Sequence, residues 1–145
     1  MNMTIKQIRR WAAAVAAICL LTLFLPLYGM TAFAATARIA FSDPTASVGS
    51  EINVKMKITS SDNLSTADIM LAYDPGSLEF IEGTNAEGGN GAVRVHGDGG
   101  GANTTTLAYD LKFKASAAGT SKITVTSQEI YDASSQIVTV DKQGE

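Results

Sequence analysis

Apolar and polar residues alternate with a period of two along most of the chain beyond residue 34, and that rhythm predicts short β-strands with one wet face. In Glu51 to Thr59, Ile52, Val54, Met56 and Ile58 alternate with Glu51, Asn53, Lys55 and Lys57. Thr105 to Ala115 repeats the pattern, with Leu107, Tyr109, Leu111 and Phe113 on one side and Ala108, Asp110, Lys112 and Lys114 on the other. Shorter runs fall at Ala37 to Phe41, Ala92 to His96, Lys122 to Thr126 and Gln136 to Val140. Gly, Asp, Asn, Ser and Pro separate the runs, and no stretch among them has helical periodicity. Such strands bury their apolar faces best as two sheets packed face to face, so the fold class expected is all-β, a two-sheet antiparallel β-sandwich.

The segment "ADIMLAYDPGSLEF", Ala67 to Phe80, fits this scheme with one anomaly. Ile69, Leu71 and Tyr73 share the core side, which turns Asp68, Met70 and Ala72 toward solvent. The Asp74-Pro75-Gly76-Ser77 turn then returns Leu78 and Phe80 to the core, Pro pre-setting the backbone and Asp bonding its own following amides. Solvent faces elsewhere carry Lys and Glu. A strand showing Asp, Met and Ala outward is therefore a candidate contact surface.

Residues 1–34 stand apart from this pattern. Lys6, Arg9 and Arg10 precede an apolar run from Trp11 to Tyr28, and Ala32-Phe33-Ala34 offers small residues where a signal peptidase requires them. Pro26 interrupts the run, which argues for a cleaved leader over a retained anchor. The expected organisation is a signal peptide over 1–34 and one domain over 35–145, secreted or displayed on a bacterial cell surface, with membrane contact only through the leader. The leader holds three of the 11 basic residues and none of the 14 acids, so the formal charge falls from −3 for the chain to −6 for the domain. No basic stripe remains to displace counterions from phosphate, which excludes nucleic acid as a partner. The single Cys and single Trp also lie in the leader, so burial and hydrogen-bond ladders alone must hold the domain together.

Two stretches together resemble the cohesin domain of bacterial scaffolding and cell-surface proteins: "TADIMLAYDPGSLEFIEG", Thr66 to Gly83, and "LKFKASAAGTSKITVTSQEIYDASSQI", Leu111 to Ile137. The resemblance implies jelly-roll topology and a non-catalytic, cofactor-free module that binds the dockerin of a secreted enzyme or surface protein, meeting polysaccharide only indirectly. In cohesins the strand before the Tyr-Asp-Pro turn contacts dockerin through an Asn-x-Asp pair. Asp68 matches the Asp of that pair, and Thr66 replaces its Asn. The resemblance sets Ala92 to His96 and Lys122 to Thr126 on either side, so the partner-binding residues expected are Thr66, Asp68, Met70, Ala72, Arg94, His96, Thr124 and Thr126. Two departures stand out. The segment from Gly83 to Asn103 is short and Gly-rich where cohesins carry a further strand, which implies a reduced binding sheet. The closing strand beside the amino-terminal one is either supplied by Ile137 to Val140 or belongs to a longer protein of which this chain is a fragment.

Other chemistry finds little support. His96 is the only histidine and no Cys remains after the leader, so neither a Cys-His pair nor a multi-histidine metal site can form. Glu79, Glu82 and Asp110 read as solvent-facing strand residues rather than a glycosidase pair. The glycines after Asp98 lack the helix that a phosphate loop needs. Gly88-Gly89-Asn90-Gly91 resembles the start of a calcium-binding nonapeptide repeat, but Val93 takes the Asp place and no second copy follows. Asp62 and Asn63 read as turn residues. A carbohydrate-binding module is the main alternative, for which Tyr131 is the one aromatic left to face solvent; a structural or adhesive repeat of a surface protein is another.

Overall fold

The computed structural model describes residues 34–143, and the predicted leader lies outside them except for Ala34. The described residues form eight strands and no helix: β1 (Thr36–Phe41), β2 (Glu51–Tyr73), β3 (Leu78–Gly83), β4 (Ala86–Gly89), β5 (Ala92–Gly97), β6 (Thr104–Ala115), β7 (Ile123–Asp132) and β8 (Thr139–Gln143).

The long strand β2 organises the rest. Its first half pairs antiparallel with β1, from Ala37↔Ser60 to Phe41↔Met56, and with β6, from Glu51↔Lys114 to Thr59↔Thr106. Its second half leaves those neighbours and pairs antiparallel with β5 on one side and β7 on the other. One layer is thus β8-β1-β2-β6-β3 and the other is β4-β5-β2-β7, with β2 common to both. The alternation read from the sequence explains why the layers face each other. Val54, Met56 and Ile58 from the first half of β2, and Ile69, Leu71 and Tyr73 from the second, all reach one core with Val93, Val95, Leu107, Leu111, Phe113 and Ile130.

Three features differ from the sequence reading. Ser60 to Ser65 is not a turn. The strand runs through it, with Ser60 and Leu64 buried, and the pairing with β6 slips between Thr59 and Leu64 where β2 crosses from one layer to the other. The Gly-rich segment adds one strand the sequence reading lacks, β4, which pairs with the expected strand β5 in a hairpin closed at Asn90 and Gly91 with φ of 52° and 92°. Two successive positive φ angles make the tight turn that matches strand twist, and Asn-Gly is its favoured sequence. The last strand is β8, Thr139–Gln143, and it pairs with β1 in parallel, so the sandwich is not wholly antiparallel. Ile137, placed in that strand by its apolarity, stands exposed outside it.

Local chemistry fixes the connections near the second layer. After Tyr73, Asp74 accepts the Gly76 amide at 2.9 Å and the Ser77 hydroxyl at 2.5 Å, so the turn predicted from Asp-Pro-Gly-Ser forms. Leu78 and Phe80 beyond it are only half-buried and pack against the edge of the core. Gly88 has φ of 152°, and a Cβ there would sit 2.3 Å from the Ala92 carbonyl oxygen, so the β4–β5 hairpin closes only around glycine.

Candidate functional site

Cross-strand register determines which outward side chains share a row, because residues directly opposite in an antiparallel pair lie on the same face. Along β2 the outward positions are Thr66, Asp68, Met70 and Ala72, all half-buried, with the last three between buried neighbours. Pairing with β5 sets His96 against Asp68, Arg94 against Met70 and Ala92 against Ala72. Pairing with β7 sets Tyr131 against Thr66, Glu129 against Asp68, Ser127 against Met70 and Thr124 against Ala72. The result is a flat four-strand face whose centre carries Met70, Ala72 and Ala92. A shallow depression of about 350 Å³ lies beside Met70, lined by the β4–β5 hairpin, with Arg94 and Glu87 among its residues.

The polar centre is a bidentate pair. Arg94 donates from Nε to Asp68 Oδ1 at 3.0 Å and from Nη2 to Asp68 Oδ2 at 2.6 Å. The geometry matches the guanidinium fork to the two carboxylate oxygens. Those hydrogen bonds hold the Asp68 carboxyl below the usual aspartate range, against an opposing push from desolvation, with the charges of Arg94 and His96 adding to the lowering. The same pair raises Arg94, with a lesser contribution from Glu87, its cross-strand neighbour on β4.

All eight residues expected from the sequence lie in this layer, but their roles differ. His96 and Arg94 are exposed on β5. Thr124 and Thr126 are exposed on β7, yet their hydroxyls donate to the backbone carbonyls of Ala72 at 3.5 Å and Met70 at 3.2 Å. Their oxygens therefore partly serve the sheet itself. Thr126 is also the extra residue of a β-bulge, since Met70 pairs with Ser127 and Leu71 with Val125.

That bulge explains what the sequence did not reveal. Counting by twos from Ile123 and Val125 would send Ser127, Glu129 and Tyr131 inward; the extra residue reverses the parity and turns them out, while Gln128 and Ile130 face in. Tyr131 is half-buried rather than exposed, and its hydroxyl donates to Glu129 Oε2 at 3.0 Å, which pushes the phenol's ionisation upward. Among the described residues no ion pair engages Glu129. The sequence signal that could have found this row is Ile130, an apolar residue out of phase with Ile123 and Val125.

The opposite face is built otherwise. There Lys55 pairs with Asp110 at 3.5 Å, and Lys112 with Glu82 at 2.7 Å and Glu51 at 4.0 Å, an ion-paired and largely exposed surface. Surface pairs of this kind contribute little and signal a solvated face. The two faces of one sandwich thus differ: one carries several ion pairs, the other sets Met70, Ala72 and Ala92 beside one bidentate pair, with Glu87, Glu129 and His96 at its flanks.

Neither a protein-family model nor a curated protein matches the sequence. Solved structures do. The sixth cohesin of scaffoldin B from Acetivibrio cellulolyticus, determined in complex with a dockerin, is 21% identical with a TM-score of 0.63, over 75% of this chain and 96% of its own. A type I cohesin in complex with dockerin from Clostridium thermocellum gives 17% identity and 0.63 over 75% and 96%. A non-cellulosomal cohesin from the archaeon Archaeoglobus fulgidus gives 22% and 0.59 over 77% and 88%. Backbone agreement of this extent, over nearly the whole of each of those modules, gives this chain the fold of a cohesin.

Proposed function

We propose that this chain is a secreted, non-catalytic interaction module that binds a dockerin-bearing protein through the β4-β5-β2-β7 face, and that the cohesin resemblance extends to jelly-roll topology. The observation that carries the reading is the contrast between the two faces. The buried centre of a docking surface is depleted in charge and enriched in residues such as Met and Arg; Met70 and Arg94, with Ala72 and Ala92 beside them, fit that better than the Lys- and Glu-bearing face does. Cohesins of the same fold solved with dockerins bound support the partner class. The residues offered to the partner are Thr66, Asp68, Met70, Ala72, Arg94, His96, Thr124 and Thr126, to which Ser127, Glu129 and Tyr131 are added by their place in the same rows. Residues 1–34 serve as the export signal, and 35–145 form the module.

Sugar recognition has less behind it. Tyr73 and Tyr109 are buried, and Tyr131 is half-buried and tied to Glu129, so the open aromatic platform that a sugar ring stacks on is lacking among the described residues. Titration of a dockerin panel against the wild-type module and the Asp68→Ala and Arg94→Ala variants tests the proposal. Binding that weakens in both supports it; affinities that do not change dismiss this face, and retention on cellulose or xylan with no dockerin bound favours the carbohydrate-binding alternative.

A further inference from the structure

On the docking face proposed above, the Arg94–Asp68 pair bears on partner choice. Both Asp68 oxygens already accept from Arg94, at 3.0 and 2.6 Å, across the middle of the face. The carboxylate is the smaller presence at the surface, its side chain 30% exposed against 46% for Arg94. A guanidinium carries five N–H donors, and two are spent here, so donors remain for a partner on the β5 side while Asp68 retains only spare lone pairs. An incoming Lys or Arg would meet the Arg94 charge before reaching Asp68. It would also have to displace a bidentate, charge-assisted contact. Glu87, opposite Arg94 on β4, adds a minor electrostatic attraction to the guanidinium. On the other side of Asp68, Glu129 faces outward with only a tyrosine hydroxyl on it among the described residues.

We infer that Arg94 is a specificity-determining residue: it turns the acidic centre of the face into a neutral donor-acceptor pair, so that the favoured partner places an uncharged hydroxyl or carboxamide over β2 and β5 and its cation over Glu129. Substituting Arg94 is then a change of preference, not only a loss of contact. The arrangement rejects one class of partner as much as it attracts another.

Two measurements test this. The first needs no partner: relaxation enhancement by a cationic and a neutral nitroxide at low salt, read at the methyls of Met70, Ala72 and Ala92 and at the Glu129 amide. Wild type gives a cation-to-neutral ratio near one at the methyls and a higher ratio at Glu129. Arg94→Gln raises the ratio at Met70 by about threefold, the effect of removing one unit charge roughly 6 Å away in water, and Asp68→Asn lowers it below one. Cation enrichment at Met70 that is already as high in wild type as in Arg94→Gln overturns the inference. The second uses two copies of one dockerin differing only in Lys or Ser at the contact over β2 and β5. Arg94→Gln shifts preference toward the Lys form by up to about fivefold, the yield of one exposed charge pair, and an unchanged preference overturns the inference. If no dockerin binds, the proposed function fails, while the nitroxide ratios still decide the charge state of the face.

Discussion

Replacing Phe113 tests whether the two layers are joined as described. Phe113 on β6 is fully buried and meets two other rings edge-on: Tyr73, at the end of β2, with centroids 5.2 Å apart and planes at 75°, and Phe80 on β3 at 5.5 Å and 68°. Phe113→Ala should cost about 3–5 kcal/mol, since a buried phenyl is lost and a cavity is left. Phe113→Leu keeps most of the volume but loses both edge-to-face contacts, each worth about 0.5–1.5 kcal/mol beyond area, so about 1–3 kcal/mol is expected. Urea unfolding of the domain measures both: the midpoint should fall while the slope stays constant, because the surface exposed on unfolding barely changes. A double-mutant cycle of Phe113→Leu with Tyr73→Leu should give a coupling of about 0.5–1.5 kcal/mol. A Phe113→Ala penalty below about 1 kcal/mol, or zero coupling to Tyr73, would refute the reasoning that this ring ties the end of β2 to the other layer.

Further outcomes follow from single contacts. The buried Tyr109 donates its hydroxyl to the Gly97 carbonyl at 2.7 Å, so Tyr109→Phe should cost about 1–3 kcal/mol by leaving that oxygen unpaired, as chemical denaturation will show. Burial, with a smaller push from the Asp98 charge, raises the Tyr109 phenol above its ordinary value; the unfolded chain releases that proton first, so stability should decline as pH rises past about 10, and ultraviolet titration should find this tyrosine un-ionised until the domain unfolds. The Asp68 carboxyl has the opposite sign. Its lowered value means that its stabilising contribution is present above about pH 4 and lost as pH falls through the folded value; Asp68→Asn should flatten that acid limb by at most about 1 kcal/mol, because the pair lies at the surface, where water screens it. Gly88→Ala forces a Cβ to within 2.3 Å of the Ala92 oxygen at a φ of 152°, so faster amide exchange at Val93 and Val95 should report a loosened β5.

The sequence was readable wherever one face of a strand was uniformly apolar. The outward placement of Asp68, Met70 and Ala72 follows from Ile69, Leu71 and Tyr73 alone, and β5 follows from Val93 and Val95 in the same way. It was unreadable where backbone geometry departs from strict pairing. Ser60 to Ser65 has turn composition because Ser, Asp and Asn bond local backbone, yet there β2 continues into the other layer, with Leu64 carried into the core and Asn103 donating to its carbonyl at 2.7 Å. The bulge at Thr126 reverses the parity of β7, which hid Glu129 and Tyr131. The Asn90-Gly91 turn was legible in principle, but four glycines within nine residues masked β4, which is held to β5 by backbone pairing.

Partner binding is proposed for the β4-β5-β2-β7 face. Amide and methyl shift mapping during titration with a dockerin measures it directly. The predicted changes concentrate at Asp68, Met70, Ala72, Ala92, Arg94 and Glu129 and leave Lys55, Asp110 and Lys112 unmoved. Saturable binding whose shifts fall on the Lys55–Asp110 face, with Asp68 and Met70 silent, would contradict it.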